Sequence, residues 1–163
     1  MRRVVALVTV LAVTGAVAGA VAGCTPSAPD GPGLAGTIVA RDDTGLGDQP
    51  IDAGVIVAVP AAQAGALWAL AGLGESPGDV RHLSADVTQD ALVDLGAVRA
   101  AITPEGRFRL DAPAGPSVVC WADPTTPEGT MRLRGCYDVD LPASGELEAS
   151  WSEGGFGVSV QPS

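Results

Sequence analysis

From Leu34 onward, apolar and polar residues alternate in short runs divided by Gly, Pro and Asp, the period of strands whose two faces meet different surroundings. Leu34 to Arg41 is the first such run, followed by the turn-rich loop Asp42-Asp43-Thr44-Gly45-Leu46-Gly47-Asp48. Ala53 to Val59 departs from alternation. It is continuously apolar and closes at Pro60, which suits a central strand buried on both faces. Val98 to Thr103 and Arg107 to Asp111 flank the turn Thr103-Pro104-Glu105-Gly106, where Pro fixes φ at the second position and Gly accepts a left-handed one at the fourth. That predicts a hairpin with Phe108 and Leu110 facing the core and Arg107, Arg109 and Asp111 facing water.

Ser117 to Ala122 is the next strand, with Val119 and Trp121 on one face and Val118 and Cys120 on the other. After the loop 123–130, Met131, Leu133, Tyr137, Val139 and Leu141 alternate with Arg132, Arg134, Cys136, Asp138 and Asp140, which predicts one long strand with a single apolar face. Glu146 to Trp151 and Phe156 to Val160 form a final pair hinged at Ser152-Glu153-Gly154-Gly155, with Leu147, Ala149, Trp151, Phe156, Val158 and Val160 inward. The expectation is an all-β domain over residues 34–162: an antiparallel, Greek-key-like β-sandwich of about seven strands.

Residues 61–96 break the period. Pro60 to Leu73 carries Ala64, Leu67, Trp68, Leu70 and Ala71 near helical spacing and stops at Gly72 and Gly74. Asp86 with Gln89 has the spacing of a capping box for a short helix through Leu92 and Leu95, closed by Gly96. This excursion is long for a connection inside one domain, and such connections are often functional. It is the expected helical insertion, and Trp68 with Leu67, Leu70 and Leu73 forms either a binding face or a stripe packed on the sheet.

The first 33 residues read differently. Arg2 and Arg3 precede an uncharged run, Val4 to Ala22, which has the layout of a secretory signal. Val21-Ala22-Gly23-Cys24 resembles the lipobox of bacterial lipoproteins, and the resemblance implies cleavage after residue 23 and acylation of Cys24. An uncleaved transmembrane helix and an ordinary secretory peptide are the alternatives. Gly15, Gly19 and Gly23 and the small residues before Cys24 favour the lipobox. Residues 24–33, with Pro26, Pro29, Gly31, Pro32 and Gly33, form a tether.

Composition narrows the partners. The chain of 163 residues has a net charge of −10, and all its basic residues are Arg. Losing Arg2 and Arg3 with the signal makes it more acidic still. On that balance no nucleic-acid partner is expected, and anionic headgroups repel the domain beyond its anchor.

Gly36, then Gly47-Asp48-Gln49-Pro50-Ile51 leading into Ala53 to Val59, then Glu105-Gly106-Arg107-Phe108-Arg109-Leu110 and Gly115, resemble the carboxypeptidase regulatory-like domain, a transthyretin-like β-sandwich. The resemblance implies an accessory or structural module without catalytic residues.

Cys120 and Cys136 fall at outward-facing positions of what should be neighbouring antiparallel strands, close enough for a disulfide. An exported protein would hold them oxidised, whereas metal or redox chemistry would want a Cys-x-x-Cys spacing or nearby histidines. His82 is the only histidine, too little for a zinc site or a triad, and reads as a solvated loop residue. Asp42, Asp43 and Asp48 crowd one loop without EF-hand spacing; a solvated acidic turn is the ordinary outcome and calcium the alternative. No cofactor, metal site or catalytic residue is expected. The function expected is a lipid-anchored module on the extracytoplasmic face of the cell membrane that binds or scaffolds an envelope protein or wall polymer without catalysis. The alternative is a small carboxylate enzyme using Asp79, Asp86 and Asp90 on the insertion.

Overall fold

The continuous apolar run in the middle of the chain becomes a strand with a hydrophobic layer on either side. The computed structural model describes residues 31–42, 44–74, 77–125 and 128–163, so the signal-like segment, Cys24 and most of the tether lie outside the described residues. In chain order the strands are β1 (Leu34–Ala40), β2 (Gln49–Pro50), β3 (Val55–Pro60), β4 (Ala85–Thr88), β5 (Val98–Ala101), β6 (Arg107–Leu110), β7 (Gly115–Thr125), β8 (Thr130–Leu141), β9 (Gly145–Ser152) and β10 (Gly155–Pro162). Two short helices, α1 (Ala64–Leu70) and α2 (Gln89–Asp94), flank β4. Ten strands rather than about seven are formed among the described residues, because short edge strands add to the long ones.

They make two five-stranded sheets. In sheet A the order is β10-β9-β1, with β6 and β2 sharing the far edge of β1; in sheet B it is β4-β8-β7-β3-β5. Between the sheets lies the main core of Leu34, Ile38, Ile56, Phe108, Leu110, Val119, Leu141, Leu147 and Phe156. A second core of Val57, Val59, Leu67, Trp68, Leu92, Val118, Cys120, Met131, Leu133 and Cys136 lies on the other face of sheet B, under the helices. Strand β3 feeds both, Ile56 and Ala58 into the first and Val57 and Val59 into the second, which is why its sequence does not alternate.

Four expectations are corrected. Strands β5 and β6 do not form a hairpin: β5 pairs with β3 in sheet B and β6 with β1 in sheet A. The Thr103–Gly106 turn still closes, with the Gly106 N–H donating to the Thr103 carbonyl at 2.9 Å, but it carries the chain between sheets. Burying Ile102 and Phe108 in the same core drives the crossing. The pairing is also not wholly antiparallel, since β9 enters sheet A from β8 and runs parallel to β1.

The third correction is in β8. Opposite Trp121 and Ala122 the register slips by one residue, because Gly135 pairs with Trp121 and Leu133 with Ala122, leaving Arg134 as the bulged residue. A one-residue slip exchanges faces, so Met131 and Leu133 join Cys136 in the second core while Val139 and Leu141 face the first. The fourth concerns α2. Residues 85–88 are extended along Thr130–Leu133, and the helix is capped by Thr88, whose hydroxyl accepts the Ala91 N–H at 3.3 Å; Asp86 takes no part.

Two close approaches hold the sheets in place. Gly36 lies opposite Phe108, and a Cβ there would collide with the Phe108 ring. On the other side, the segment before β4 straps the sandwich shut: the Val80 carbonyl accepts the Cys136 N–H of β8 at 3.0 Å, and the Arg81 carbonyl accepts the Phe156 N–H of β10 at 2.8 Å. A Cβ on Gly135 would sit 2.5 Å from that Arg81 oxygen, so the strap needs glycine beneath it. Residues 61–96 are thus part of the packing, supplying an edge strand, a helical cover and a strap.

Candidate functional site

Cys120 and Cys136 are directly opposed on β7 and β8 and form a disulfide, with an S–S distance of 2.05 Å and a Cα–Cα distance of 4.0 Å. They do face away from the sandwich core, but not toward water: both are 0% exposed, because α1 and its neighbours cover that face. Trp68 and Leu67 are buried beside them, so α1 packs its stripe on sheet B, while Leu70 is left exposed.

The carboxylates of the insertion do not form an acid–base pair. Asp79 accepts the Arg81 Nε at 2.9 Å and an Nη at 2.6 Å, and Asp86 on β4 accepts Arg132 Nε and Nη at 2.8 and 3.0 Å. These hydrogen bonds to guanidinium hold both carboxyls below their ordinary range, the opposite of what a general acid needs. Asp79 borders a shallow pocket of about 310 Å³ with Arg81 and Tyr137, and neither Asp86 nor Asp90 reaches it.

In the acidic loop Asp42 accepts the Thr44 N–H, the Thr44 hydroxyl and the Leu46 N–H, which lower its pKa, the Thr44 hydroxyl most. Asp48 accepts the Asp42 N–H at 3.3 Å, and Asp43 lies outside the described residues. Among the described residues no group of three or more His, Cys, Asp or Glu side chains is gathered as for a metal ion. His82 is exposed, but its ring meets Trp151 edge-on with centroids 6.0 Å apart. Trp151 in turn meets Trp121 at 5.7 Å, and Arg134 lies over Trp121 at 5.9 Å while pairing with Asp123 at 3.5 Å. This ladder closes one end of the main core.

The feature not anticipated is a trough on the outer face of sheet A. Two rows of cross-strand neighbours floor it, Val39–Ser150–Gly157 and Thr37–Glu148–Ser159, each spanning β1, β9 and β10. Short side chains in both rows leave a depression of about 400 Å³, bounded by Arg41 and Asp48 and by Tyr137 from β8 of the other sheet. A second depression of about 330 Å³ continues it, sharing Thr37 and Glu148 and reaching Arg107 and Glu146. Compared with protein-family models, curated proteins and solved structures, the chain matches none. The trough had a signal in the sequence. Glu146, Glu148, Ser150 and Ser159 are the outward positions of the last strand pair, and Gly157 among them bears no side chain.

Proposed function

We propose that this chain is an exported β-sandwich held on the extracytoplasmic face of the cell membrane by lipid on Cys24, where it binds or scaffolds another envelope component without catalysis. The observation that carries the reading is the Cys120–Cys136 pairing inside the second core, since disulfides persist in oxidising compartments and are rare where thiols are kept reduced. Of three cysteines it leaves one, Cys24, at the place where the amino-terminal pattern resembles a lipobox. Among the positions resembling the carboxypeptidase regulatory-like domain, a resemblance that implies an accessory role, Gly36 lies under Phe108 and Gly106 packs on Ile38 and Pro50.

Two acyl chains hold a protein on a membrane stably where one does so marginally. Cys24→Ala is therefore expected to move the protein from the membrane fraction to the soluble fraction, or to leave an unprocessed precursor. Unchanged size and fractionation of that variant would reject the anchor.

A further inference from the structure

The trough on sheet A combines an open floor of hydroxyls and carboxylates with one exposed aromatic wall. Thr37, Ser150 and Ser159 offer hydroxyls, Asp48 and Glu148 accept hydrogen bonds, and Arg41 donates them. Tyr137 is 37% exposed at the rim, an amphipathic ring against which an apolar surface can rest. The two adjoining depressions follow β1 from Ala35 to Arg41, so the ligand they fit is extended, on the order of 20 Å at about 3.3 Å per strand residue.

An extended peptide is a poor match. Peptides dock on sheets by adding to an edge or by filling apolar pockets; here the floor is polar and β1 and β9 are paired on both sides, which leaves only the outer edge of β10 for an added strand. An anionic polymer meets Asp48, Glu146 and Glu148 against Arg41 and Arg107 in the two depressions, an acidic balance on a chain of net charge −10. We infer that the outer face of sheet A is a binding site for a neutral polysaccharide, its hydroxyls met by Glu148, Asp48, Arg41 and the floor residues and a sugar face resting on Tyr137. This rests on the envelope reading above and names the class of polymer.

Gly157 supplies a clean test. A Cβ there meets only the Ser150 Oγ at 3.8 Å, ordinary van der Waals distance, and its φ is not left-handed, so Gly157→Val is expected to fill the trough while keeping the strand, which an unchanged denaturant midpoint checks. The detergent-solubilised full chain would be run in native gels containing a β-glucan, a galactan, a mannan or, as the acidic comparison, polygalacturonate. Retardation is expected in at least one neutral polymer and not in polygalacturonate. It should weaken about tenfold or more in Gly157→Val, which fills the floor, and measurably in Tyr137→Ala, where the one aromatic contact at the rim is lost, and also in Glu148→Gln. No retardation by any of the three neutral polymers, or equal retardation of Gly157→Val and the parent, would overturn the inference. Retardation in polygalacturonate alone, or capture of an extended peptide at the trough in place of glycan, would overturn it too. Fractionation of Cys24→Ala reads the anchor independently, so a protein that is acylated but binds no glycan sinks only this step.

Discussion

Sheet B turns Val57, Val59, Val118 and Leu133 away from the main core and buries all of them under the helices, whereas sheet A turns Thr37, Glu148, Ser150 and Ser159 away from it and leaves them to water. One sandwich therefore has a dry outer face and a wet one. The dry face carries the disulfide, the strap and the helical cover; the wet one carries the trough. In sequence the difference is one of period, because β3 is apolar at every position from Val55 to Val59 while β9 alternates Glu146, Glu148 and Ser150 with Leu147, Ala149 and Trp151.

That contrast can be broken from the dry side. Trp68 is 5% exposed in the second core, and Trp68→Ala should cost about 3–5 kcal/mol, read as a lower denaturant midpoint. A loss under about 1 kcal/mol, the size typical of any substitution, would mean that the helical cover is not packed as described. Replacing both Cys120 and Cys136 by Ala should cost about 3 kcal/mol, the value for closing a loop of this length. On the wet side Ser150→Ala should stay within about 0.5 kcal/mol, as surface substitutions do.

The smallest effect is electrostatic. The carboxyls of Asp79 and Asp86 titrate below their ordinary 3.8 in the folded chain, so the stability they lend is complete above the unfolded value and is lost as pH falls through the depressed folded ones. Both ion pairs are exposed, and the contribution is small. The midpoint difference between the parent and Asp79→Asn/Asp86→Asn should be constant from neutrality down to about pH 5 and shrink at lower pH. A difference that grows on acidification would contradict the arginine pairing.

Much of the fold is legible in the sequence, and the parts that are not share one cause. The two-sided burial of β3, the last strand pair and the opposition of Cys120 and Cys136 follow from local period and turn residues. Three things depended on partners that local sequence does not name. The Thr103–Gly106 turn has hairpin chemistry whether its flanking strands share a sheet or not. The bulge at Arg134 is a register event between two chain segments, invisible in either alone. Ala85-Asp86-Val87-Thr88 is too short to declare itself a strand, and only the open edge of β8 makes it one. The trough was missed for a related reason. Its floor comes from β1, β9 and β10, its wall from Tyr137 on β8, and the slip at Arg134 decides which way the rest of that strand faces.

The proposed anchoring requires export to an oxidising space and a lipid on the first mature residue. Intact-mass analysis of the native polypeptide, without reductant, tests it most directly. The mass predicted is that of a chain beginning at Cys24 with a diacylglyceryl adduct and with Cys120 and Cys136 joined; a chain beginning at Met1 with three free thiols would contradict it.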